Sequence, residues 1–95
     1  MAFEWHSAKA KSNLEKHGVS FEEASSVFND PLQLHYPDEG HSIEENRYIC
    51  LGMSDSGRLL LLVYVERLSE TFRIISAREM TRRERKIYEA QRDIS

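Results

Sequence analysis

The sequence predicts an α+β fold in which helices and strands occupy separate stretches of the chain. Apolar residues follow a helical spacing up to Phe28, and from Leu32 onward they alternate with a period of two. The later apolar stretches are joined by turns too short for the crossovers that parallel strands require. We therefore predict two N-terminal helices, a four-stranded antiparallel sheet and a C-terminal helix, in a single domain that spans residues 1–95.

Capping residues define the two N-terminal helices. The first is expected to begin with Ser7 as its N-cap and to end at Gly18, which suits the left-handed position after a helix. Ser20 and Glu23 have the spacing of a capping box that opens the second helix. Pro31 ends that region, because the residue before a proline avoids helical backbone angles.

The sheet and the last helix are predicted from alternation and from a second capping box. Thr81 and Glu84 have the spacing of that box, so the C-terminal helix should begin there. The continuous apolar run in the third strand predicts a central position, covered on both faces. The four predicted strands are residues 32–36, 47–53, 58–67 and 71–78.

Charge is divided unevenly along the chain, although the net charge is only −3. Residues 1–57 contain four Lys/Arg against ten Asp/Glu, a net charge of −6, whereas residues 58–95 contain nine against six, a net charge of +3. Eight of the nine arginines lie in the second part. Because the guanidinium is planar and binds phosphate in a bidentate manner, this distribution predicts an anionic ligand on the C-terminal half.

Several classes of protein are disfavoured by the sequence. It contains no Gly-rich phosphate loop and no Cys/His pairs at zinc spacing, so no cofactor or structural metal is expected. The single Cys50 lies among apolar residues and is expected to be a buried, inert thiol in a reducing compartment. No signal peptide is visible, and the longest apolar run, Leu59 to Val65, is too short to span a membrane. We therefore expect a cytoplasmic protein.

Three arginines at strand ends are the first candidates for an anion site. Arg67 and Arg78 share pleat faces with apolar residues, so both should emerge at the rim of the core. Arg73 lies an odd number of residues from Arg78 and should face the other way unless the strand twists or bulges. The alternative is that these arginines only cap the core and pair with Glu66 or Glu79.

Further candidates come from a loop and from the last helix. His41 lies in a polar loop close to Glu45, where an imidazole could transfer a proton, although a solvated loop histidine is the alternative. Tyr88 is predicted to be buried in the core, but from its position on the last helix its side chain could also reach the sheet. Arg82 and Arg83 add positive charge to that helix and, together with Arg73, are predicted to help bind substrate.

Two sequence blocks are specific enough to indicate a family. They are Lys-His-Gly-Val-Ser-Phe-Glu-Glu-Ala over residues 16–24 and Arg-Ile-Ile-Ser-Ala-Arg over residues 73–78. With several shorter matches, they make the chain resemble the BrnT toxin family over nearly its whole length. One departure is His6, where the family pattern has Asp after Phe-Glu-Trp. The shorter matches are Phe3-Glu4-Trp5, Asp30-Pro31, His41-Ser42 with Glu45 and Arg47, Gly57-Arg58, Glu66-Arg67, and Glu84 with Tyr88.

The resemblance implies a RelE-like ribonuclease fold and RNA cleavage without a metal ion. In that chemistry a 2′-hydroxyl attacks the adjacent phosphorus while arginines stabilise the added negative charge. Arg67 and Arg78 would be the phosphate clamps, and His41, Glu45 or Tyr88 would supply the base or the acid. The resemblance also implies a hetero-oligomer with a BrnA-type antitoxin that carries its own DNA-binding domain.

Two other functions fit the residues. The first is a catalytically silent protein-binding module, in which the arginines receive an acidic segment of a partner; a proton-transfer group beside the arginines would distinguish the enzyme from this module. The second is direct DNA binding, which is disfavoured because the last helix carries Glu84, Glu89 and Asp93 among its arginines.

Overall fold

The computed structural model describes residues 1–40, 46–68 and 70–94. Within these ranges the chain forms three α-helices and a five-stranded sheet, so the predicted α+β class is confirmed. None of the helices in the described ranges is long and apolar enough to cross a membrane. In chain order the elements are β1 (Ala2–Glu4), α1 (Ser7–His17), α2 (Phe21–Ser25), β2 (Leu34–Pro37), β3 (Arg47–Met53), β4 (Leu59–Glu66), β5 (Thr71–Glu79) and α3 (Arg82–Ile94).

The sheet is mixed, which corrects the prediction of four wholly antiparallel strands. Its strands lie in the order β1-β5-β4-β3-β2, and β1 pairs with β5 in parallel while the other neighbours are antiparallel. β1 has only three residues, so it is too short to show alternation in the sequence. Its partner strand is also distant along the chain, as the pairing of Phe3 with Phe72 shows.

Helix α1 runs beside β5 beyond the point where β1 ends, and it closes the edge of the sheet there. The Asn13 side chain, which is buried, donates to the Ala77 carbonyl at 2.8 Å and accepts from the Ala77 amide at 3.1 Å. Gly18 ends α1 with φ 67°, as predicted. Ser7 is the first helical residue rather than the cap, because His6 occupies the N-cap position without a side-chain cap bond.

The second helix is shorter than predicted. Ser20 caps α2 by accepting from the Glu23 amide at 3.0 Å, which is half of the predicted capping box. α2 ends at Ser25, and a 3₁₀ helix over Ser26–Asn29 continues it. The tighter winding is typical of a helix terminus, and here it precedes the extended backbone at Asp30.

Alternation along β4 separates the core into two parts on opposite faces of the sheet. We call the side that packs on α1 and α2 the N-terminal-helix face, and the opposite side the α3 face. Cys50 is fully buried in the first part, and burial raises the pKa of its thiol to about 12, as expected for an inert cysteine. The first part contains Leu60, Leu62, Tyr64, Ile74 and Ala77, and the second contains Leu51, Leu61, Met80 and Tyr88.

The carboxylate of Glu23 does not return to its own helix but binds the turn between β3 and β4. It accepts from the Arg58 Nε at 3.0 Å and from the Ser54 hydroxyl at 2.7 Å, and it also accepts from Ser56. The hydrogen bond from Arg58 is the main reason that the pKa of Glu23 falls from 4.5 to about 2. This network attaches the second helix to the far end of the sheet.

Replacing Glu23 with Gln should therefore lower the free energy of unfolding by about 1–2 kcal/mol at neutral pH. The folded pKa lies below the unfolded one, so this stabilisation is complete above about pH 4.5 and is lost as the pH falls towards 2. Urea unfolding at several pH values should show the gap between wild type and Glu23→Gln closing in acid. The exposed neighbour Glu22, changed to Gln, is the matched control, and a gap that persists near pH 2 would contradict this account.

Candidate active site

A β-bulge in β5 determines which of its side chains share a face. Val63 of β4 pairs with Ser76, but the next residue, Tyr64, pairs with Ile74, so Ile75 has no partner on β4. An extra residue in one strand reverses the alternation on one side of the bulge. The two ends of β5 are therefore out of phase with each other.

The bulge places Arg73 on the same face as the other candidate arginines. Arg73 lies opposite Val65 and Arg78 lies opposite Leu61, and these two β4 residues share the α3 face. Arg67 follows Val65 by two residues and continues the same face at the end of β4. With strict alternation, Arg73 would lie on the opposite face from Arg78. The bulge is the irregularity that the sequence analysis had allowed for.

Arginines flank Val65 on both neighbouring strands. Arg47 on β3 and Arg73 on β5 are both in register with it, about two strand spacings or roughly 10 Å apart. Glu4 on β1 is in register with Arg73 and accepts from its Nε at 2.8 Å, and the same oxygen lies 3.8 Å from the Arg67 Nε. The acid that pairs with Arg67 is thus Glu4, and not Glu66, which the core-capping alternative had named.

These arginines line a cavity of about 250 Å³ that we call the cationic pocket. The N-terminal end of α1 closes its side with a histidine and a lysine. Cations therefore surround the cavity from β3, β4, β5 and α1, and among the described residues Glu4 is an acid that contacts two of them. The described residues that line it are His6, Lys9, Arg47, Val65, Arg67, Arg73, Ile74 and Ile75.

His6 and Lys9 reach this pocket because of how β1 leads into α1. Only two residues follow β1 before the helix, and Trp5 packs edge-on against Phe21 with ring centroids 6.0 Å apart, which fixes that junction. The His6 carbonyl then accepts from the Ala10 amide at 2.9 Å and starts the helix. Sequence reasoning missed both side chains as site residues, although their separation of three residues puts them on one side of a helix.

Arg78 lies farther along the α3 face and is engaged by an acid. Its two Nη atoms donate to the two oxygens of Glu84 at 2.8 and 2.9 Å, and its contact with Glu79 is to the backbone carbonyl at 3.1 Å. This pairing lowers the pKa of Glu84, which also accepts from the Thr81 amide and so completes the predicted capping box. Arg78 and Arg73 lie opposite β4 residues that are four positions apart, Leu61 and Val65. At the usual rise of a strand this separates the two arginines by roughly 13 Å.

The remaining candidate arginines do not line the cationic pocket. Arg82 and Arg83 are exposed in the first turn of α3. Their charges are therefore available to solvent on the same helix that Glu84 attaches to β5.

Tyr88 is part of the core between α3 and the sheet. Only 1% of it is exposed, and its hydroxyl donates to Asp30 Oδ2. The same Asp30 carboxylate accepts from the amide of Met53 at 2.8 Å and from that of Leu32 at 2.9 Å. The phenol thus attaches α3 to β3 through Asp30, and the structure does not bring it to the cationic pocket.

His41 and Glu45 lie outside the described residues. β2 ends at Pro37 and β3 begins at Arg47, which lines the cationic pocket. In the part of the chain that the structure describes, no three His, Cys, Asp or Glu side chains are grouped so that they could hold a metal ion.

Comparison with known proteins identifies the family. A family model described as the ribonuclease toxin BrnT of type II toxin–antitoxin systems matches residues 5–84. The chain belongs to the BrnT toxin family. The match spans His6, Lys9 and the arginines of the cationic pocket, and it confirms the resemblance read from the two sequence blocks. Membership implies a protein antitoxin as partner.

A solved structure supports the fold independently. The chain is similar to a crystal structure of the Brucella abortus ribonuclease toxin BrnT, with a TM-score of 0.68 and 19% sequence identity. The similarity covers 86% of this chain and 99% of that chain. At this identity the likeness concerns the fold alone. No curated protein matches the chain.

Because Tyr88 is buried and bonded to a carboxylate, Tyr88→Phe should lower the free energy of unfolding by about 2 kcal/mol. Any ribonuclease activity of the folded variant should stay within about twofold of wild type. Urea unfolding and RNA cleavage on the same preparations would measure both quantities. Ile87→Val, at an exposed position on the same helix, is the matched control and should change neither. Lost cleavage with unchanged stability would instead assign Tyr88 to the reaction.

Proposed function

We propose that this chain is the toxin of a toxin–antitoxin pair and that it cleaves RNA in the cationic pocket without a metal ion. The observation that supports this site is the convergence of Arg47, Arg67 and Arg73 around one cavity that also contains His6. The matching family is described as a ribonuclease, and a cavity of this charge suits the phosphodiester that such an enzyme must bind. The fold is expected to be of the RelE type, and the site of action is expected to be the cytoplasm.

The reaction proposed is an internal transesterification. The 2′-oxygen forms a bond to the adjacent phosphorus, the bond from phosphorus to the 5′-oxygen breaks, and a 2′,3′-cyclic phosphate is left on one fragment. A base takes the proton of the 2′-hydroxyl, and an acid supplies a proton to the departing 5′-oxygen. Arg67 and Arg73 are aligned to hold the phosphate and to stabilise the extra negative charge that develops on its oxygens.

Proton transfer is assigned to the histidine that the pocket contains. His6 is the imidazole among the described lining residues, and an imidazole can act as a base or as an acid. The family pattern has Asp at this position. His41 and Glu45, which the sequence proposed for the same task, remain candidates for the second transfer.

Arg78 is proposed as a secondary contact rather than as a clamp on the reacting phosphate. Its guanidinium already has a bidentate partner in Glu84, so a phosphate would have to share or replace that acid. Arg82 and Arg83 extend the positive charge beyond it. An RNA strand lying across the α3 face would meet the cationic pocket first and Arg78 farther along.

The partner is proposed to be a BrnA-type antitoxin with its own DNA-binding domain. Carboxylates from such a partner would occupy the arginines of the cationic pocket, as Glu4 does between Arg67 and Arg73. The toxin would then be silent while the complex lasts. A catalytically silent module would show the same binding but no cleavage by the free chain.

Substitutions in the cationic pocket should abolish cleavage without unfolding the protein. Arg67→Ala, Arg73→Ala and His6→Ala should each reduce the rate of RNA cleavage by about 10²- to 10³-fold, as expected when a preorganised donor or proton-transfer group is removed. Thermal melts should change little, because the side chains of Arg67 and Arg73 are 48% and 34% exposed.

Arg85→Ala is the matched control, since it removes an exposed arginine of α3 that has no place in the proposed RNA path, and it should keep near-normal activity. Arg78→Ala should have an intermediate effect and reduce the rate of RNA cleavage by about tenfold. If Arg85→Ala is as inactive as Arg73→Ala, cleavage depends on overall charge and not on this pocket.

Cleavage should continue in excess EDTA, because the proposed nucleophile is the substrate's own hydroxyl and the proposed charge stabilisers are arginines. The upstream product should carry a 2′,3′-cyclic phosphate, detectable by its resistance to ligation at the 3′ end and by mass spectrometry. An RNA with a 2′-deoxy residue at the cut position should not be cut there. Activity that EDTA abolishes and magnesium restores would show this mechanism to be wrong.

A further inference from the structure

A second cavity, of about 420 Å³, opens at the same end of the sheet but on the N-terminal-helix face. Tyr48 and Tyr64 stack in it with ring centroids 5.6 Å apart, and Phe28 and Phe72 stack with centroids 5.5 Å apart. The volume is within the range of sites that bind small molecules or inserted side chains. We call it the aromatic pocket, and its principal lining residues are Phe28, His35, Tyr48, Tyr64, Glu66 and Phe72.

The polar groups at the base of this pocket satisfy one another. The Gln33 amide nitrogen donates to the carbonyls of Phe28 and Asp30, both at 2.8 Å, so its oxygen faces His35 and accepts from the Nε2 hydrogen. The other ring nitrogen, Nδ1, then accepts from the Tyr64 hydroxyl at 2.8 Å. Burial lowers the pKa of His35, which agrees with a neutral ring in this arrangement. The base of the pocket therefore carries no charge of its own.

Glu66 supplies the one charged side chain among the described lining residues. It is exposed, and its carboxylate forms no ion pair with any residue in the described ranges. Burial raises the pKa of Tyr64 and the charge of Glu66 contributes to that rise, so the carboxylate acts directly on the aromatic cluster. A carboxylate beside the faces of aromatic rings attracts a cation and repels a phosphate.

We propose that the aromatic pocket binds the guanidinium of an arginine side chain from the protein antitoxin. Arginine fits better than lysine, because its planar group can stack on the rings while it pairs with Glu66. This inference rests on the antitoxin that family membership implies, and it is independent of the proposed RNA chemistry. An antitoxin that offers acid to the cationic pocket and arginine to the aromatic pocket can bind in one orientation only, since reversal would bring like charges together.

The chemistry of the pocket can be tested with a small probe. N-acetyl-arginine amide, titrated into the ¹⁵N-labelled full chain, should shift the NMR signals of Tyr48 and Tyr64 with a saturable, millimolar dissociation constant. N-acetyl-citrulline amide, its uncharged isostere, should bind at least about fivefold more weakly. Glu66→Gln should weaken arginine binding by a similar factor, and Glu15→Gln, at an exposed acid on α1, should leave it unchanged.

Two results would overturn the assignment to arginine. One is equal binding of arginine and citrulline probes, or an unchanged affinity in Glu66→Gln, which would show that charge is not recognised. The other is stronger displacement of the same signals by uridine 5′-monophosphate, which would make the pocket a base-binding part of the RNA site. An absence of any shift at these tyrosines would remove the site altogether.

The intact complex provides the second test. Glu66→Lys should weaken binding of the cognate antitoxin by at least about tenfold, whereas Glu15→Lys should not, and RNA cleavage by the free Glu66→Lys chain should remain normal. Unchanged antitoxin affinity in Glu66→Lys would overturn the inference. A chain that binds antitoxin in this Glu66-dependent way but cleaves no RNA would contradict the proposed function and leave the aromatic pocket standing.

Discussion

The candidate site depends on the irregular pairing of β5 with β4. Ile74 and Ala77 are both buried on the N-terminal-helix face, yet they are three residues apart, which regular alternation does not allow. The bulge at Ile75 resolves this conflict by adding one residue between them. The same insertion turns Arg73 to the α3 face, together with Arg78. Apolar burial on one face and a set of cations on the other are therefore consequences of a single backbone irregularity.

Helix α3 covers only one half of the α3 face, and the other half of that face is left uncovered. Tyr88 and Met80 pack with Leu51 and Leu61 in the covered half, and the Tyr88 hydroxyl is attached to Asp30. The end of the sheet near Val65 is left to charged side chains. Both cavities lie at that end, one basic and one aromatic with an acid, on opposite faces of the same strands. A partner that reaches around this end would meet both kinds of surface.

The acids that contact the arginines show which arginines stabilise the fold and which can bind a ligand. Glu23 binds Arg58 and Glu84 binds Arg78, each with its pKa lowered by that arginine, and each also accepts further hydrogen bonds from neighbouring groups. Such multiply bonded pairs fix helix ends to the sheet. Glu4 instead is shared between Arg67 and Arg73 at the mouth of a cavity. Sharing one acid leaves excess positive charge there, which an anionic ligand can use.

The sequence by itself determined the α+β class, the three long strands, the helix ends at Gly18 and Thr81, and the family, because caps, alternation and local blocks are short-range signals. It also proposed Arg67 and Arg78 as the phosphate clamps, with Arg73 as a further contact. Only the tertiary structure decided that β1 joins the sheet in parallel, that Arg73 shares a face with Arg78, and that His6 lies beside these arginines. Each of these facts depends on contacts between segments far apart in the chain. Local periodicity carries no information about such contacts, so they are settled by how the strands pair and by which faces the core can bury.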